Sequence, residues 1–272
     1  MSLVSLSRRV TFSSGHRYWR ADLSAEENRA LYGEWASPFN HGHNYVLWVT
    51  ARGVVDPENG MVVNIKWIDD VLQEKVVQTF NQKSINDEIP WFFDKSSSLE
   101  NLLAYFRHEL QNLPGNVELS QLKLEETETL YAEWHTENNM TTLTRIYELA
   151  ASHRLHVPEL SGEENVRLFG KCNRENGHGH NYVLEVTVTG AINAETGMMV
   201  DIGALDEAVE RLVVDRYDHH NLDMDIPELA GKNTTSEVVA QAIFDLLQGN
   251  IPGDLVRVRL FETARNMFEV TA

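Results

Sequence analysis

The chain has 272 residues, 42% of them hydrophobic and 24% charged, with a formal net charge of −18 and one cysteine. That balance fits a soluble globular protein of one large or two ordinary domains. The acidity argues against wrapping nucleic acid or resting on an anionic membrane, and a lone cysteine excludes an intrachain disulfide. No apolar run approaches the ~18 residues of a membrane span. The opening MSLVSLSRRVTF lacks the basic-then-apolar order of a secretory signal. A cytoplasmic location is the expectation.

The chain repeats itself. His16 and His153, His41 and His178, and His43 and His180 are each 137 residues apart. LSAEENRALYG (23–33) matches LSGEENVRLFG (160–170), and LKLEET (122–127) matches VRLFET (258–263) after a small shift. Internal self-similarity at a fixed period marks a duplicated architecture. Two domains are expected, 1–138 and 139–272, with the polar HTENNMTTLTR (135–145) as linker.

In chain order, VTFSSGH reads as a strand ending at His16, followed by a loop that carries LSAEEN. A second strand starts at HGHNY and continues through the alternating VLWVTARG. A glycine-containing turn leads to GMVVNI. Helical spacing then covers WIDDVLQEKVVQTF and LENLLAYFRHEL, and LKLEET and LYAEW form a last pair of strands. The second half repeats this order. Each half is therefore α+β, an antiparallel sheet with two helices between strand pairs. The helices cover one face, and association of subunits is the expected fate of the sheet edges.

Residues i and i+2 of a strand share a face, so HGH aims two imidazoles at one spot. The preceding strand delivers a third. His16, His41 and His43 form one such set, and His153, His178 and His180 the other, with the same spacing of 25 from lone histidine to HGH. A single HxH is more often a pair of ordinary surface or core histidines. Persistence of all three in two halves that have drifted apart favours metal. Three neutral imidazoles suit Zn²⁺ and leave a fourth position open, as in catalytic zinc sites. One ion per repeat is expected. His108, His135 and His156 have no repeated partner and read as solvated or structural.

Proton-transfer groups occur only in the second half. Cys172 precedes His178 by six residues, flanked by Lys171, Asn173 and Arg174. A lone cysteine is most often a small buried hydrophobe. The cationic neighbours favour a thiolate, either as a base or nucleophile or as a further ligand. In YDHHNLD (217–223), Asp218 adjoins His219 and can orient its imidazole. An ordinary polar helix end is the plainer reading. The first half has Trp35, Asn81 and Gln82 at the positions of Cys172, Asp218 and His219. The joint loss suggests that the three belong to one machinery. TTSE (234–237) and SSLE (97–100) have the form of capping boxes. Glu262 and Glu126 end matching strands, as exposed charges or as acceptors for an amidine-like edge.

The ordered run ASHRLH, LSGEEN, FGKCNRENGHGHNY, GMMVDI, YDHHNLD, TTSE and FET resembles the 6-pyruvoyltetrahydropterin synthase family, over nearly all of 146–270. That family shares the tunnelling fold with the 6-carboxytetrahydropterin synthases of the 7-deazaguanine (queuosine) pathway. The first half resembles it too but departs at the catalytic positions. The resemblance implies zinc on His153, His178 and His180, with Cys172 as general base and Asp218 and His219 as its relay. It implies Glu262 as anchor for the 2-amino and N3 edge of a pterin, with Thr235 and Ser236 lining that pocket. The implied substrate is 7,8-dihydroneopterin triphosphate, accompanied by Mg²⁺. Its triphosphate needs cations despite the net charge, and Arg154, Lys171 and Arg174, aided by another subunit, are the candidates. The five residues between Cys172 and His178 resemble the 6-pyruvoyl enzymes, and TSE at 235–237 the 6-carboxy enzymes. The first is the leading reading, and a non-catalytic pterin- or purine-binding or assembly module is the alternative of another class. Family members stack two trimers, so three tandem chains would form a pseudo-hexamer.

Overall fold

A computed structural model describes residues 2–272. Two compact units are present. One comprises Met1–Leu143 with Thr189–Asp201, the other Thr144–Val188 with Ile202–Ala272. Each is mixed α+β, with helices backing a sheet, in the tunnelling-fold arrangement expected from the sequence.

In the first unit, β1 (Leu3–His16) pairs antiparallel with β2 (His41–Val54) in unbroken register from Leu3 opposite Val54 to His16 opposite His41. Strand β2 pairs next with β4 (Val117–Thr127), and β4 with β5 (Leu130–His135), both antiparallel. The two-residue β3 (Lys83–Ser84) runs parallel beside the end of β1. The period of two places Tyr45, Leu47, Val49 and Ala51 on one face of β2, and all four are buried. Helices Ile65–Leu72, extended by a wider turn to residue 80, and Leu99–Leu110 supply the opposing apolar surface. Leu72, Val76, Phe80, Leu102 and Phe106 lie at or below 2% exposure, so this layer holds the core. Burial of each such side chain stabilises by about 1.5–3 kcal/mol.

The second unit follows the same plan. Its sheet contains β8 (His220–Asn221), β6 (Met140–His153), β7 (His178–Thr189), β9 (Asp254–Thr263) and β10 (Asn266–Thr271) in that order. Helices Ile202–Val209 and Ser236–Leu247 cover it. A sheet-to-helix ion pair recurs at matched positions: Arg8 with Asp69, and Arg145 with Asp206 at 2.6 Å. Both bind through Nε and a terminal nitrogen, the paired geometry that guanidinium favours.

Three local expectations are corrected. The LSxEEN segments are the starts of helices, Ala25–Tyr32 and Gly162–Phe169, not loops. There Ser24 with Glu27, and Ser161 with Glu164, form full capping boxes. The boxes expected at SSLE and TTSE do not form, because Ser98 and Thr235, one residue later, occupy the N-cap positions. The stretch 135–145 carries the end of β5 and the start of β6, so it is sheet and turn rather than linker.

Candidate active site

The register of β1 and β2 sets His16 beside His41, and the strand period adds His43 two residues on. In each unit three imidazoles offer one nitrogen apiece, all within 4.8 Å of one another: His16, His41 and His43, and His153, His178 and His180. Histidine Nδ1 fixes the tautomer. That of His153 donates to the Thr234 carbonyl at 2.8 Å, and that of His16 faces the Ser97 carbonyl at 3.3 Å. A carbonyl only accepts, so Nε2 of each ring carries the free lone pair. Nε2 of His16, His43, His153 and His180 and Nδ1 of His178 are buried with no hydrogen-bond partner. Such a set of orphaned acceptors fits a divalent ion held by neutral imidazoles.

Electrostatics agree with neutral rings. Burial, then the neighbouring His41 and His43, lower the His16 pKa to about 3. Burial and His41 lower that of His43 to about 4. His178 and His180 are also lowered, first by burial. Metal competes poorly with protons at an ordinary imidazole in mild acid, and these shifts reduce that competition.

A carboxylate adjoins each cluster. Glu126 Oε1 lies 3.7 Å from His43 Nε2, and Glu262 Oε1 lies 3.7 Å from His180 Nε2 and 3.8 Å from His153 Nε2. Ser236 Oγ donates to Glu262 at 2.8 Å and Asn266 Nδ2 at 3.1 Å. Burial opposes ionisation of Glu262, but these two hydrogen bonds and the nearby histidines outweigh it and lower its pKa. Thr235 caps the adjoining helix through its backbone only.

Asp218 and His219 are brought together. Asp218 accepts from Ala150 N at 2.6 Å and from His219 Nδ1 at 2.7 Å. These bonds, the backbone one first, lower the Asp218 pKa. The pairing leaves His219 Nε2 as the ring's working nitrogen. His219 has φ of 59°, left-handed backbone rare for a non-glycine residue, and its ring is 83% exposed. Gln82, its counterpart, has φ of 63°. The first repeat thus kept the turn and lost the imidazole. A cleft of about 670 Å³ is lined by His180 and His219, among others.

Cys172 stands in a tight turn, Gly170–Asn173, and its carbonyl accepts from Leu155 N. Its thiol is partly exposed and lies outside both ligand clusters. Among the described residues no hydrogen bond joins it to Asp218 or His219. Asn173, beside it, is anchored by Leu155 O and His156 Nδ1. Arg154 Nε donates to the Asn173 carbonyl. Asn165, fully buried, bonds the carbonyls of Val157, Leu160 and Ser161, and Asn28 does the same in the first unit.

The sequence reading missed Glu100. It is 2% exposed and accepts from Met199 N at 2.8 Å, where a capping role was expected. The signal was available: an acid stands at both matched positions, Glu100 and Glu237.

Tandem helix-backed antiparallel sheets, each with a three-histidine cluster and an adjacent carboxylate, define a duplicated metal-binding α+β protein. A family model described as 6-pyruvoyl tetrahydropterin synthase matches residues 5–137 and again 142–272. The chain belongs to that family, as a tandem duplication. The 6-pyruvoyl tetrahydrobiopterin synthase of Drosophila melanogaster is 46% identical over 127 residues, 46% of this chain and 76% of its own. The Homo sapiens protein of that name is 46% identical over 126 residues, 46% of this chain and 87% of its own. The structure of Caenorhabditis elegans 6-pyruvoyl tetrahydropterin synthase covers 48% of this chain and 94% of that one, at 40% identity and a TM-score of 0.46. No helix among the described residues is long and apolar enough to cross a membrane.

Proposed function

We propose that the chain is a zinc-dependent lyase that converts 7,8-dihydroneopterin triphosphate to 6-pyruvoyltetrahydropterin, with release of triphosphate. The observation that carries this reading is the second repeat's combination of orphaned imidazoles, a fixed carboxylate and an Asp–His pair within one family framework. The chemistry is an internal redox rearrangement: the pterin ring is reduced, the side chain is oxidised, and triphosphate leaves. It needs proton movement and no external oxidant.

His153, His178 and His180 would hold zinc, which when bound would supply Lewis acidity toward the side-chain hydroxyls. Glu262, kept ionised by Ser236 and Asn266, holds the donor edge of the heterocycle. Thr235 and Ser236 line the same place. Cys172 removes a side-chain proton, and His219, oriented by Asp218, accepts and returns protons through Nε2. Arg154, Lys171 and Arg174 attract the triphosphate, which carries Mg²⁺. The first repeat keeps its metal ligands and supports assembly without turnover. Oligomeric assembly, a trimer of tandem chains, belongs to this reading.

The test is incubation of zinc-loaded protein with 7,8-dihydroneopterin triphosphate without air, with the pterins identified by mass. The 6-pyruvoyl product and free triphosphate are expected. A 6-carboxy product with acetaldehyde would replace this reading with the carbon–carbon lyase. Bound but unchanged substrate would replace it with a binding module.

A further inference from the structure

The two repeats treat a matched pair of cations in opposite ways. In the first, Arg17 directly follows the ligand His16. Both of its terminal nitrogens donate to Asp87 at 2.6 Å, and one also donates to Asn40 Oδ1 at 2.8 Å. Lys95 pairs with Asp94 at 3.2 Å and lies 5.0 Å from the centre of the Trp91 ring. Both cations are thus neutralised inside their own repeat. The second repeat keeps the cations and lacks the acids. At the spacing of 137, Arg17 and Lys95 become Arg154 and Lys232, while Asp87 becomes Met224, Asn40 becomes Gly177 and Asp94 becomes Gly231. Among the described residues neither Arg154 nor Lys232 takes part in an ion pair.

Arg154, His156 and Lys232 line one cleft of about 570 Å³, with Gly177 and Met224. It borders the strand ends that carry the ligands, since Arg154 follows His153 and Gly177 precedes His178. Arg154 Nε donates to the Asn173 carbonyl at 3.2 Å, which orients the guanidinium and leaves the terminal nitrogens as its available donors. Asn173 Nδ2 donates to His156 Nδ1 at 3.0 Å, so His156 Nε2 carries the ring's hydrogen and is a further donor. Three carboxylates share the lining. Asp223 already accepts from Arg154 N and Thr234 Oγ1, both at 2.6 Å, and Glu159 and Glu175 are exposed to water. A guanidinium, an ammonium and an imidazole N–H suit the several oxygens of a polyphosphate. Rim carboxylates suit the magnesium ion that such an anion carries.

We infer that this cleft is a polyphosphate subsite, built in the second repeat alone, and that it seats the triphosphate of the substrate. Lys171 and Arg174 line no part of it, so they attract the anion without seating it. The first repeat answers the same two cations with its own carboxylates and binds no polyphosphate. Naming the substrate as the source of the triphosphate rests on the proposed reaction. The subsite itself does not, because anion binding is measured without turnover.

Calorimetric titration of the zinc-loaded chain with inorganic tripolyphosphate in excess Mg²⁺ tests it. One tripolyphosphate per chain is expected. Met224→Asp supplies the acid that the first repeat uses, and Lys232→Gln removes a cation. Met224 is 81% exposed and Lys232 is exposed, so both variants keep their fold. Each is expected to weaken binding about tenfold or more, the worth of one charge-assisted contact, with zinc content unchanged. Met224→Asn, shaped like the aspartate but uncharged, is expected to bind like the wild type. No binding by the wild type, two tripolyphosphates per chain, or equal affinity in Met224→Asp and Met224→Asn would each overturn the inference. With 7,8-dihydroneopterin triphosphate, Met224→Asp is expected to raise KM, and an unchanged KM would overturn the assignment of the cleft to the substrate. Absence of turnover in a wild type that binds tripolyphosphate as expected would overturn the proposed reaction and leave the subsite intact.

Discussion

His16 and His41 face each other at the last registered pair of β1 and β2, with ring centroids 4.4 Å apart. Sheet register, rather than a flexible loop, therefore places the ligands, and His153 and His178 stand 4.6 Å apart in the second unit. Placement by strands predicts preformed metal sites. Zinc-loaded protein should hold about two ions per chain. Either His41→Ala or His178→Ala should lower that to about one, measured by elemental analysis. Chelation should lower the melting temperature, since an ion that binds only the folded state stabilises it.

Cys172→Ala should reduce turnover on the order of 10²–10⁴-fold, with zinc content unchanged, because the thiol is outside the ligand cluster. Near-normal turnover in that variant would remove Cys172 from the mechanism.

Asp218→Asn should reduce turnover by a similar order and shift the pH profile. The substitution replaces an acceptor of His219 Nδ1–H by a group that can also donate, which releases the tautomer. A rate loss without any change in pH profile would mark Asp218 as merely structural.

Burial raises the Glu100 pKa above its ordinary value of 4.5. The folded chain therefore binds this proton more tightly than the unfolded chain. The contribution is fully present below about pH 4.5 and is lost as pH rises through the folded value. Glu100→Gln, whose amide oxygen still accepts from Met199 N, should be more stable than the wild type at neutral pH. The difference should shrink toward pH 4.5, as read from thermal melts across that range. Equal melting at pH 7 would show that the carboxylate is solvated.

Asn165→Ala should destabilise by about 1–3 kcal/mol, because three carbonyls lose a buried donor. Each kcal/mol moves the melting temperature by roughly 2–4 °C for chains of this size. Asn28→Ala should match it. A change under half a degree in both would mean that water replaces the amide.

Much of this was legible without coordinates. The strand period of HGHNY and its recurrence pointed to both three-histidine clusters, since a period of two is a local property. The helices from 65 and from 99 followed from spacing for the same reason. The short helices at 25–32 and 162–169 were not legible, because eight residues give little periodicity. Their signals were the capping boxes Ser24–Glu27 and Ser161–Glu164. The turn through 136–139 looked like a linker because turn residues and linker residues are the same polar types.

The sequence by itself determined the duplication, the two histidine triads and the absence of Cys, Asp and His from the matching positions of the first half, because these are properties of residue type and spacing. Only the tertiary structure decided the fates of Glu100 and Glu237. Their local sequences match, yet one carboxylate is buried under a loop and the other faces solvent. The difference arises from hydrogen bonds between residues 99 apart in sequence, Met199 to Glu100 and Ser98 to Gly197. Contacts of that range depend on which surfaces the folded chain brings together, and no local pattern encodes them.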